Sequence, residues 1–196
     1  MIRDLRAIAA ACLVTAGCST LATSPGCVTD SRGNLTGDRD RTFLDIVESG
    51  VEKQGNGFAF YIRTAAPLPD ARAMTEGKRA DYVWFVDADR NVTTGQSELG
   101  NDINLHVWID ETGWHSAVFP VTDIGKAQGD PPPVDACPFE IEADTVTLRV
   151  PDSVFPALIF DWWAWSTTQN AGNWEPVTEN PPTKRTPSDS RWRKGL

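Results

Sequence analysis

Tyr82–Val83–Trp84–Phe85–Val86, followed at once by Asp87–Ala88–Asp89–Arg90–Asn91–Val92–Thr93–Thr94–Gly95, is the stretch on which the fold turns. Such a short apolar run, bounded by charge and turn residues, suits a strand covered on both faces. Aromatic and β-branched side chains fill it, and these favour extended backbone. It ends in Asp and Asn, residues that terminate strands by hydrogen-bonding their own backbone. Beyond it, Asn104–Leu105–His106–Val107–Trp108–Ile109–Asp110 alternates strictly. Leu105, Val107 and Ile109 share one face and His106 and Trp108 the other, as in a half-buried strand.

The same grammar extends in both directions. Phe43–Ser49 and Phe58–Thr64 flank the turn Gly55–Asn56–Gly57 as a hairpin. Glu111–Thr112–Gly113 turns into Trp114–Val121, and Glu140–Glu142 pairs with Thr145–Val150 around Ala143–Asp144. Pro151 closes that hairpin, and Asp152–Phe155 makes a single helical turn. Leu158–Thr167, with its Trp162–Trp163–Ala164–Trp165 core, completes the set. No segment keeps a 3.6-residue apolar period. The expectation is an all-β chain, an antiparallel two-sheet β-sandwich of jelly-roll or Ig-like type.

The chain has 196 residues, with 18 Lys+Arg against 27 Asp+Glu and a net charge of −9. That length suits one domain, placed at residues 41–182. The charge argues against nucleic acid or anionic lipid as a partner, since both carry the same sign. Residues 183–196 form a basic tail, read as disordered, in which Lys184, Arg185, Arg191, Arg193 and Lys194 face only Asp189. Residues 18–40, rich in Ser, Thr, Gly and Asp, read as a linker.

Residues 1–17 read as a signal peptide, with Arg3 and Arg6 ahead of the apolar stretch Ala7–Ala16, which is too short to span a bilayer. Thr15–Ala16–Gly17–Cys18 resembles a bacterial lipobox, which implies a lipid anchor on Cys18. Cleavage after Ala22 would instead release a secreted protein. Either route leads out of the cytoplasm, where Cys27 and Cys137 would pair as a structural disulfide. Closing so long a loop stabilises by about 4–5 kcal/mol on the chain-entropy model.

The acidic loop after Val86 carries the chemistry. Calcium takes six to eight oxygen ligands, which alternating carboxylates and carbonyls supply. Asp87, Asp89, Asn91 and Glu98 hold positions 1, 3, 5 and 12 of a helix–loop–helix calcium hand. Val92 stands where that motif needs Gly, however, and a strand precedes the loop in place of a helix. Strand, D-x-D-x-N-x-x-T-G, then G-x-D and a further strand is similar to loops of secreted bacterial β-sandwiches of the DOMON and family 9 carbohydrate-binding-module group. The matching residues are Asp87, Asp89, Asn91, Thr94–Gly95, Gly100 and Asp102. The resemblance implies an extracytoplasmic sandwich stapled by Ca²⁺ and often attached to sugar recognition. Expected ligands are Asp87, Asp89 and Asp102 by side chain, Asn91 by side chain or carbonyl, and Glu98 as an extra. The other reading is an acidic turn that only ends a strand.

Alternation places Trp163 and Trp165 on one face of the last strand and Phe160, Trp162 and Ala164 on the other. One set belongs to the core. The other either stacks on a ligand such as a sugar ring or is covered by the following loop. Trp108 and Trp114 are secondary ligand candidates. Only His106 and His115 are available as histidines, and neither a Gly-x-Ser-x-Gly elbow nor a His-Glu-x-x-His helix is present. The sequence therefore points to an exported, calcium-stabilised, non-catalytic envelope module that binds carbohydrate or another surface ligand. A small glycan hydrolase using two carboxylates and a structural or adhesion module remain as other readings.

Overall fold

A computed structural model describes residues 27–29, 32, 41–75, 78–95, 100–121, 137–156, 160–170, 173–179 and 193–194, from residue 170 onward as backbone only. Residues 1–17, read as a signal peptide, Cys18, Glu98 and most of the basic tail lie outside the described residues. In chain order the strands are β1 (Cys27–Thr29), β2 (Ile46–Gln54), β3 (Gly57–Thr64), β4 (Lys78–Asp87), β5 (Ile103–Asp110) and β6 (Gly113–Pro120). They continue with β7 (Phe139–Glu142), β8 (Thr145–Pro151), β9 (Asp161–Asn170), β10 (Asn173–Glu179) and β11 (Arg193–Lys194). Every pairing is antiparallel, and the chain is an all-β sandwich.

The first sheet runs β1-β2-β3-β8-β7 and the second β10-β9-β4-β5-β6, with β11 also on β9. The β2–β3 hairpin turns at Gly55–Asn56, and the β7–β8 hairpin turns at Ala143–Asp144, where Ala143 has φ 41°. A single 3-10 turn, Asp152–Val154, follows β8. The segment read as a linker contributes β1, and the tail contributes β11.

Between the sheets lies one aromatic-rich core. Phe60 of β3 meets Trp84 of β4 edge-on at 6.1 Å, and stacks on Phe160 and Phe155 at 5.9 Å each. Leu105, Val107 and Ile109 of β5 are fully buried, as alternation requires, while His106 and Trp108 take the opposite face. β4 has β9 on one side and β5 on the other, and both Val83 and Trp84 have 0% exposure. This two-sided burial explains the unbroken apolar run.

The first sheet's outer face is polar and paired. Glu48 is 5% exposed and accepts from Tyr61 Oη at 3.2 Å and from the Arg63 guanidinium. Arg149 grips Glu140 through both Nε and Nη2. The sheet's edges are the three-residue β1 and the four-residue β7, whose Glu140 and Glu142 are exposed.

The expected disulfide is absent. Cys27 lies on β1 and approaches Glu48 Oε1 with its thiol at 3.6 Å. Cys137 is buried just before β7, where its carbonyl accepts from Ser116 Oγ at 2.6 Å. Those two strands are the opposite edges of one sheet. Four inter-strand steps separate them, about 19 Å along the sheet, whereas bridged cysteines have Cα atoms within about 7 Å. Melting curves with and without reductant should therefore superimpose. A drop of several degrees on reduction would restore the disulfide.

Candidate metal centre

β4 ends in Asp87. Since Tyr82, Trp84 and Val86 belong to the core, Asp87 takes the outer face, opposite Asp161 of β9 in the register. The chain then folds back on itself. The Asn91 amide donates to Asp87 Oδ1 at 3.0 Å and to Asp89 Oδ1 at 2.8 Å. Thr94 Oγ1 lies 3.1 and 2.9 Å from the two Asp89 oxygens. Arg90, with φ 59°, reaches β9 instead, its Nε 3.6 Å from Asp161 Oδ2.

Asp102 arrives from the other end of the loop, one residue before β5. Its amide donates to the Val86 carbonyl at 2.8 Å. Its Oδ2 accepts from the amides of Ala88 at 2.9 Å and Asp89 at 3.3 Å. Two glycines let the halves of the loop touch. Gly95 and Gly100 have φ 69° and 67°. A Cβ on Gly95 would sit 2.4 Å from the Asn101 carbonyl oxygen, and one on Gly100 2.5 Å from the Val92 Cα.

As a result, one oxygen from each of Asp87, Asp89 and Asp102 lies within 4.8 Å of the others. Opposed ligands of one Ca²⁺ are about 4.6–5.2 Å apart, so the three oxygens fit within a single coordination sphere. No family model, curated protein or solved structure matches this chain. The geometry must speak for itself.

Electrostatics sharpen it. Burial pushes the Asp87 carboxyl up to about 6; the Asn91 amide opposes the shift and the Asp102 charge adds to it. Asp102 is likewise raised, by burial first, against the hydrogen bonds from Ala88 and Asp89. These are carboxylates under strain as anions, and a divalent ion would relieve them. Asn91 is engaged within the loop. Its Oδ1 accepts from Thr93, by the amide at 3.2 Å and Oγ1 at 2.7 Å, and its carbonyl accepts from Thr94. The turn is made at Arg90 and Gly95, while Val92 is 60% exposed.

The tryptophans divide between the two faces of the second sheet. Trp162 is core, 1% exposed. Trp163 and Trp165 lie on the opposite face, where their rings lie 4.8 and 5.6 Å from Phe85. Trp163 is only 5% exposed and so offers no open ring face; Trp165 is half-buried. Trp108 shares that face, with the Arg79 guanidinium 4.4 Å over its ring and His115 stacked at 5.3 Å. Trp114, the other secondary ligand candidate, is half-buried. It packs against the core and stacks on Tyr82 at 5.9 Å, because alternation turns it inward from β6.

Sequence reasoning missed three contacts. Asp81, fully buried, is gripped by Arg79 and has His106 Nδ1 3.6 Å away. The Arg90–Asp161 pair depends on strand register, which no local motif encodes. Phe85 was read only as part of a buried strand, not as the ring beneath Trp163.

Replacing Gly100 by Ala should cost at least about 1–2 kcal/mol from the left-handed backbone alone, measured by urea unfolding; an unchanged midpoint would refute the loop geometry. The raised Asp87 carboxyl fixes a pH dependence. The folded chain holds this proton more tightly than the unfolded one, so its contribution is full below pH 3.8 and is lost as pH rises through about 6. In EDTA, melting temperature should fall over that window, and the fall should be smaller in Asp87→Asn.

Proposed function

We propose that this chain is an exported, calcium-stabilised β-sandwich of the cell envelope that acts as a non-catalytic binding module. The carrying observation is the convergence of Asp87, Asp89 and Asp102 between the end of β4 and the start of β5. Backbone amides already orient the Asp87 and Asp102 carboxylates, and Thr94 braces Asp89. An acidic turn that merely ended a strand would have no need to bring three side chains from both ends of the loop to one point. In this reading the ion supplies positive charge and locks the crossover from β4 to β5.

Binding is favoured over turnover by the condition of the other acids. Asp81 is held by Arg79, Glu48 by Arg63, Glu140 by Arg149 and Asp152 by Lys53. Hydrogen bonds from Thr112 and His115 outweigh burial at Asp110 and hold its carboxyl down at about 2. A glycan hydrolase needs one carboxylic acid kept protonated near neutral pH, and pairing to a cation works against that. Carbohydrate remains the proposed ligand class, with Trp165 as the half-exposed tryptophan of the Phe85–Trp163–Trp165 aromatic group.

Melting in calcium and in EDTA tests the proposal. With a dissociation constant of about 10 μM, 1 mM calcium would add roughly 2.7 kcal/mol, a rise of about 5–10 °C for a domain of this size. Asp87→Asn should abolish that rise. Superimposed curves for the unmodified chain would refute the calcium reading. Glycan-array binding lost in Trp165→Ala would support the ligand class, and binding unaffected by that change would move the ligand elsewhere.

A further inference from the structure

We draw no further inference here: the strongest candidate, the half-buried rings of Phe85 and Trp165 on the outer face of the second sheet, carries none because nothing in the structure shows what covers them.

Discussion

Most of strand β4, from Ala80 to Trp84 and at Val86 and Asp87, is buried, and the rest of the molecule is arranged around that constraint. Its inner side chains, Tyr82, Trp84 and Val86, meet the first sheet's aromatic residues. Its outer ones, Asp81, Val83 and Phe85, lie among side chains of β5 and β9. A strand buried on both faces needs every backbone group paired, since an unmet amide or carbonyl there costs about 1–3 kcal/mol. β9 and β5 supply those partners along almost its whole length. Polarity within this setting must be neutralised on the spot. Asp81 shows how, with Arg79 two residues earlier on the same face of the strand.

Where β4 runs out, the same problem recurs. Asp87 is 1% exposed, and its Oδ1 accepts from the Asn91 amide. Asp102 sits beside it in a similar state. The basic residue nearest in sequence, Arg90, is drawn off to Asp161. The loop therefore concentrates negative charge while its own cation neutralises a different strand. This imbalance separates the loop from the paired acids elsewhere on the surface.

Much of the fold was legible because period-two alternation is a local property. β5 could be assigned face by face from Asn104–Asp110, and both hairpins announced themselves through Gly55–Asn56 and Ala143–Asp144. Asp87 and Asp89 were also readable from spacing, whereas Asp102 came only from resemblance to a known kind of loop. What escaped depended on register or on distant pairing. β10 carries Pro176, which argues against a strand, but the register of β10 on β9 shifts between Trp174 and Thr178 and so accommodates it. Arg79 stands outside the apolar run Tyr82–Val86, yet it belongs to the strand as the partner of Asp81. The cysteines misled for a deeper reason. Sequence separation bounds the entropy of a bridge, whereas sheet order decides its distance, and β1 and β7 sit at opposite margins.

Those margins have a consequence for how the molecule behaves in company. An exposed strand edge is a template on which another chain can polymerise. On the first sheet that template is truncated to three residues on one side. On the other it is four residues long and carries the exposed Glu142, which would repel its counterpart on an identical copy. Among the described residues, both edge strands of this sheet are short, which limits the ladder a neighbouring molecule can extend.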